Sequence, residues 1–193
     1  MKKKILSFEE LTRISKTKKQ QNKKIVLCHG VFDLLHIGHI KHFEEAKSFG
    51  DILIVTITPD KFINKGPNRP AFSTHLRLEA LQALECIDFV SVNKWKTATR
   101  TILSIKPHIY CKGPDYKNKK NDITKKIYEE EKAIKSIKGF IKFTNTQSFS
   151  SSNLLNNYMN IHTDNQKKFL NEINSKFSFN KIKDQISKLF SIK

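Results

Sequence analysis

Apolar residues in this chain fall in short blocks separated by stretches of helical periodicity. Ile25 to Cys28 is an apolar run between lysines and His29-Gly30. It is too short for a lone helix and reads as a buried strand. Asp51 to Thr58 (DILIVTIT) repeats the pattern and stops at Pro59, and Phe89 to Val92, His108 to Cys111 and Phe140 to Phe143 are three further strands. A helix is expected to run from His36-Ile37-Gly38-His39 to about Phe49, with Ile40, Phe43 and Lys47 at helical spacing and Gly50 at the C-cap. A second spans Ser73 to Glu85, with Leu76, Ala80, Ala83 and Leu84 facing inward and Arg77 projecting near its first turn. A third covers Thr97 to Ile105 and breaks at Pro107, and a charged one covers Asp122 to Ser136. Strands alternating with helices predict a parallel sheet with right-handed crossovers and helices on both faces.

The first strand feeds a glycine turn and then a helix, which aims backbone N–H groups and the positive end of the helix dipole at one point. That point is an anion site. Imidazoles at positions 36 and 39, beside Gly38, add donors that a phosphate chain can use. His29, His36, His39 and His42 are also candidate metal ligands, with His39 and His42 one turn apart. No cysteine pair or carboxylate sits at a complementary spacing, so no metal is assigned to protein side chains. A turn with solvated histidines is the bland alternative.

Three more loops lie at strand ends, where open parallel sheets hold their ligands. Asp60 to Pro70 (DKFINKGPNRP) carries Lys61, Lys65 and Arg69; Lys112-Gly113-Pro114-Asp115-Tyr116 adds a cation and a carboxylate; Phe149 and Ser150 to Ser152 stand at a helix entrance. Serines there usually only cap the helix, yet three in a row also suit phosphate. Trp95, in the loop after the third strand, reads as a packing residue.

Length and composition narrow the class. At 193 residues and 38% hydrophobic, the chain can bury one ordinary core plus a small appendage. The expected division is a lead-in over 1–23, whose Ile5, Leu6, Phe8, Leu11 and Ile14 suit a short packed helix, a domain over 24–160, and a helical extension or linker over 161–193. No run approaches the roughly 18 apolar residues of a membrane helix, and the first residues lack the apolar stretch of a signal peptide; a cytoplasmic protein is expected. Cys28, Cys86 and Cys111 read as buried free thiols. The formal charge of +18 is nearly all lysine and is spread along the chain. That spread suits recruitment of polyanionic nucleotides better than specific nucleic-acid binding, although a basic RNA-associated module is the reading from another class.

The pattern Gly30-x-Phe32-Asp33-x-x-His36-x-Gly38-His39, which includes Val31, resembles the signature of the cytidylyltransferase-like nucleotidyltransferases. The letters H-I-G-H also mark class I aminoacyl-tRNA synthetases, whose second, lysine-rich signature is missing here. From about Lys24 to Tyr158 the chain looks like the adenylyltransferase domain of the ADP-heptose synthase branch, and more distantly like glycerol-3-phosphate cytidylyltransferase. The matching pieces are GVFDLLHIGH, DILIVTITPD, KGPNRP, Arg77, KGPDY and SSSNLL. The resemblance implies an α/β fold, a Rossmann-like three-layer sandwich with a five-stranded parallel sheet of the HxGH nucleotidyltransferase type. It implies transfer of a nucleotidyl group from ATP, or alternatively CTP, to a sugar or polyol phosphate, with Mg²⁺ accompanying the triphosphate. Asn145 stands where the cytidylyltransferases carry an arginine, and Asn153 follows the serines as in the ADP-heptose branch; both favour ATP. His36, His39 and Lys65 are the implied catalytic residues. Gly30, Val31, Phe32, Asp33, Gly38, Arg77, Lys112, Asp115, Phe149, Ser150, Ser151 and Ser152 are the implied nucleotide contacts. A homodimer is expected, possibly partnered or fused with a sugar kinase domain.

Overall fold

The computed structural model describes residues 4–64, 69–116 and 126–145, together with Asn165, Lys168, Phe169 and Glu172. Residues 1–151 form one unit and 152–193 a second. The first unit runs α1 (Phe8–Gln20), β1 (Ile25–Gly30), α2 (Ile37–Ser48), β2 (Ile52–Ile57), α3 (Thr74–Gln82), β3 (Phe89–Val92), α4 (Thr99–Ile105), β4 (Ile109–Lys112), α5 (Lys126–Ser136) and β5 (Phe140–Phe143). No helix of the described residues is long and apolar enough to cross a membrane.

The strands form one parallel sheet in the order β3-β2-β1-β4-β5. Alternation along each strand sends side chains to two separate cores. Val26, Cys28, Leu53, Val55 and Cys111 join Phe43 and Ala46 of α2 and Leu78 and Leu81 of α3 on one face. Ile25, Leu27, Ile54 and Tyr110 join Leu11 of α1, Ile102 of α4 and Ile134 of α5 on the other. This is the three-layer α/β sandwich expected; the central strands β1 and β2 are almost wholly apolar because both their faces are covered, whereas the edge strand β5 is half exposed. The connections run outward from β1 through β2 to β3, then return to β4, so strand order reverses between β1 and β4. That reversal opens a crevice at the carboxyl ends of the strands.

The lead-in belongs to this fold more fully than its composition indicates. Ser7 and Glu10 form a reciprocal capping box at the start of α1. Ahead of it, Ile5 bridges to Val90, and the Leu6 N–H donates to the Val90 carbonyl at 3.0 Å, extending pairing beyond β3. Phe8 also meets Trp95 edge to face at 5.0 Å, which agrees with Trp95 as a packing residue.

The inward face of α3 differs from expectation. Leu76 is 48% exposed, and Arg77, Leu78 and Leu81 point inward instead. A guanidinium assigned outward by its charge is in fact the inner residue, so the helix is rotated to bury it. Gly50 is likewise not the cap of α2, which is Phe49; a Cβ at Gly50 would lie 2.7 Å from the Lys24 carbonyl oxygen, so the glycine permits a close approach to the start of β1.

Candidate active site

The carboxyl end of β1 leads through Phe32 and Leu34, both with positive φ (48° and 52°), into α2. A Cβ at Gly30 would lie 2.8 Å from the tip of the Phe32 ring, so only glycine lets that ring fold back over the strand end. The ring then meets His39 edge to face at 5.6 Å and Phe43 at 4.9 Å, which holds the first turn of α2 in place. His36 is the N-cap in extended conformation, and its Nδ1 accepts the Gly38 N–H at 3.1 Å. With Nδ1 an acceptor, the neutral ring carries its proton on Nε2, a donor at the positive end of the helix.

The His36 and His39 rings stack with centroids 3.9 Å apart and planes inclined by 25°. Burial lowers the His36 pKa, so the free imidazole is neutral at pH 7 and offers a hydrogen-bond donor rather than a cation. The structure thus brings Gly30, Val31, Phe32, Gly38, His36 and His39 together at one strand end, with two imidazoles side by side.

On the opposite face of the sheet at the same end lies a cavity of about 250 Å³, lined among others by His29, Gly30, Thr58, Lys96, Lys112 and Glu130. His29 is held between Thr56 Oγ1 at Nδ1 (3.0 Å) and Thr58 Oγ1 at Nε2 (3.3 Å). Lys112 Nζ is 2.9 Å from Glu130 Oε2 and lies over the Tyr116 ring at 4.4 Å. Glu130 also accepts from the Tyr110 hydroxyl at 2.9 Å and the Ala98 N–H at 3.3 Å. Burial acts to raise the Glu130 pKa, but the charge and hydrogen bond of Lys112 more than offset it, leaving the carboxyl below its ordinary value. Thr58, Lys96 and Glu130 were not picked out from sequence. In the run Glu129-Glu130-Glu131 the central residue looks like its solvated neighbours, and only its 3% exposure sets it apart.

Asp33 and Arg77 are both engaged by other segments of the chain. Asp33 is 3% exposed. Its carboxylate accepts the N–H groups of Ala71 (2.9 Å) and Phe72 (3.1 Å) and pairs with Arg69 Nε at 3.0 Å. Arg77 does not project. It donates to the carbonyls of Phe72 (3.0 Å), Val31 (2.5 Å) and Thr58 (3.0 Å), to Asp60 Oδ1 (2.6 Å) and to Thr74 Oγ1 (3.2 Å). Together these two residues fasten the segment after β2 to the turn that carries the imidazoles. Asp115 is exposed in a 3₁₀ turn over Pro114–Tyr116, just past Lys112. Lys65, Phe149, Ser150, Ser151 and Ser152 lie outside the described residues.

Among the described residues, one group of three side chains able to hold a metal occurs, Cys28, His42 and Cys111. Its sulfur and nitrogen donors do not suit Mg²⁺, which takes oxygen ligands. Mg²⁺ ordinarily keeps several waters and phosphate oxygens and needs no such cluster of protein side chains. Burial and the nearby Lys112 charge lower the His42 pKa to about 4.

The sequence model of the cytidylyltransferase-like family matches residues 27–157. Over 137 residues the chain is 37% identical to the bifunctional protein HldE of Aliarcobacter butzleri, covering 70% of this chain and 29% of that protein. Over 117 residues it is 44% identical to the bifunctional protein HldE of Sulfurimonas denitrificans, covering 60% and 24%. The chain thus spans about a quarter of the length of these curated relatives. Among solved structures, the lipopolysaccharide core biosynthesis protein from Thermoplasma volcanium superposes with a TM-score of 0.53 at 25% identity, covering 66% of this chain and 99% of that one.

Proposed function

Because this chain belongs to the cytidylyltransferase-like family and is a nucleotidyltransferase, we propose that it transfers AMP from ATP to a sugar phosphate such as a heptose 1-phosphate, releasing pyrophosphate. The observation that carries this reading is the stacked pair His36 and His39 at the N-terminus of α2, set at the reversal point of the sheet. A helix N-terminus with two imidazoles favours bound phosphate groups, and the resemblance of the sequence motifs to the ADP-heptose synthase branch suggests the acceptor class.

The chemistry needs no nucleophile from the protein. An oxygen of the acceptor phosphate attacks the α-phosphorus, a new P–O bond forms, and the bond from the α-phosphorus to the bridging oxygen breaks as pyrophosphate leaves. The protein's task is positioning and stabilisation of charge. His36, its tautomer set by the Gly38 N–H, donates from Nε2 to phosphate oxygens, and His39 is held beside it by Phe32. Lys65 and the Ser150 to Ser152 entrance grip the β and γ groups. Mg²⁺, if it accompanies the nucleotide, screens the triphosphate charge. The cavity with Lys112 and Glu130 serves the remainder of the nucleotide, and residues 161–193 serve self-association or linkage to a sugar kinase domain.

The test is pyrophosphate release with each of ATP, CTP, GTP and UTP against heptose 1-phosphate and glycerol 3-phosphate. Release with ATP and the heptose phosphate is expected. Release confined to CTP and glycerol phosphate would overturn the donor and acceptor together. His39→Ala should lower kcat about a hundredfold or more with the fold intact; unchanged turnover would remove the imidazoles from the mechanism.

A further inference from the structure

Strand register brings together two cysteines that lie 83 positions apart in the chain. Cys28 of β1 and Cys111 of β4 are direct partners across adjacent parallel strands, so both thiols leave the sheet on the same face. His42 of α2 packs down on them, and one ligand atom from each of the three residues lies within 4.8 Å of the others. All three are buried, with exposures of 0%, 1% and 8%. Beyond them, the Thr144 hydroxyl contacts His42 Nδ1 at 3.0 Å and lies 3.5 Å from the Lys112 carbonyl oxygen, toward which it donates. A histidine ring steadied by an outer hydrogen bond is the usual support of an imidazole ligand.

We propose that Cys28, Cys111 and His42 form a buried site for a zinc-like divalent cation of soft to borderline character. Zinc takes sulfur at about 2.3 Å and imidazole nitrogen at about 2.0–2.1 Å. Sulfurs bound at that length stand roughly 4 Å apart, so the observed spacing closes on a metal with movements on the order of 1 Å. Binding forms two metal–sulfur bonds and one metal–nitrogen bond, and releases the two thiol protons to solvent. The site lies on the α2 face of the sheet, whereas the cavity with Lys112 and Glu130 lies on the α5 face, so the two are distinct. Its mechanical effect is specific. It ties β1 and β4, the strands on either side of the reversal point, to the helix whose first turn presents His36 and His39. A cation bound only in the folded state also stabilises it by mass action.

Cobalt(II) tests this directly. The full chain, stripped with a chelator and kept reduced, should take up one equivalent of Co²⁺ and develop thiolate-to-cobalt charge-transfer absorption that Zn²⁺ abolishes. Cys111→Ser should lose that absorption and bind Zn²⁺ about a hundredfold or more weakly. In mild urea, where the metal-free protein opens and its two buried thiols become reactive, zinc should also protect Cys28 and Cys111 of the unmodified protein from a thiol reagent, leaving the partly exposed Cys86 reactive. That measurement decides the matter even if the serine variant does not fold. Cobalt bound without thiolate absorption, which would place it at the histidines of the β1–α2 turn, or zinc that protects no thiol, would overturn the proposal.

Discussion

Replacing Arg77 by methionine isolates what the buried guanidinium does. Methionine keeps the apolar stem and removes five hydrogen bonds, three of them to main-chain carbonyls at Val31, Thr58 and Phe72. The pair with Asp60 counts for little, because that carboxylate is 44% exposed and water replaces its partner. The carbonyls count for more. A hydrogen bond to a charged donor contributes about 1.5–3 kcal/mol, and removing one partner from a buried charged cluster costs about 3–5 kcal/mol in all. For a chain of this size each kcal/mol moves Tm by about 2–4 °C, so Arg77→Met should melt roughly 10 °C below the parent protein by scanning calorimetry. Arg77→Lys should recover less than half of the loss, since an ammonium cannot reproduce the planar fork. Because the brace joins the segment after β2 to the turn at Val31, the KM for the donor nucleotide should rise in both variants. A methionine variant that melts within about 2 °C of the parent while kcat/KM collapses would refute this account and make Arg77 a substrate contact.

Breaking the buried Lys112–Glu130 pair gives a signed pH effect. In the parent protein Glu130 is held below its ordinary 4.5, so its contribution is present above pH 4.5 and is lost as pH falls through the lower folded value. Lys112→Met leaves a buried carboxylate without its cation, which reverses the shift. The variant should be about 3–5 kcal/mol less stable at pH 7, and the deficit should shrink as pH falls through 4.5 in urea titrations; a deficit independent of pH would contradict the pairing. Gly30→Ala should push the Phe32 ring from its place against His39 and lower kcat about a hundredfold with little change in Tm. Gly50→Ala meets main chain at Lys24 instead and should cost about 1–3 kcal/mol of stability at unchanged kcat. If the two glycine variants show the same balance of stability and rate, the Phe32 ring does not govern His39.

The strands and the first βα turn were legible because their signals are local. Phe89–Val92 and Phe140–Phe143 are short, mainly apolar segments bounded by turn residues, and both strands occur with those bounds. The His36-Ile37-Gly38-His39 turn is legible for the same reason, since its cap, its glycine and its imidazoles stand within four residues. What failed was anything whose partner is distant. Arg77 looked outward because an isolated arginine belongs in water, yet its acceptors come from residues 31, 58, 60, 72 and 74. Asp33 likewise accepts the N–H groups of residues 71 and 72, a packing role that no local pattern announces.

The same limit applies to the thiols. Metal-ligand spacing in sequence registers ligands that share a turn or a hairpin, and by that measure His42 has no sulfur near it. In a doubly wound sheet, however, the two strands beside the reversal point are neighbours in space and remote in the chain. Here they are β1 and β4, and the register places Cys28 opposite Cys111 under a helix that starts between them in sequence. A parallel sheet therefore hides such constellations from any reading by spacing, and it hides them at the strands that carry the active-site turn. The search that would find them asks which residues of the first strand and of the strand after the return crossover share parity, and which side chain of the first helix lies above them. With β1 and β4 adjacent, shared parity pairs Cys28 with Cys111, and the placement of α2 sets His42 against them.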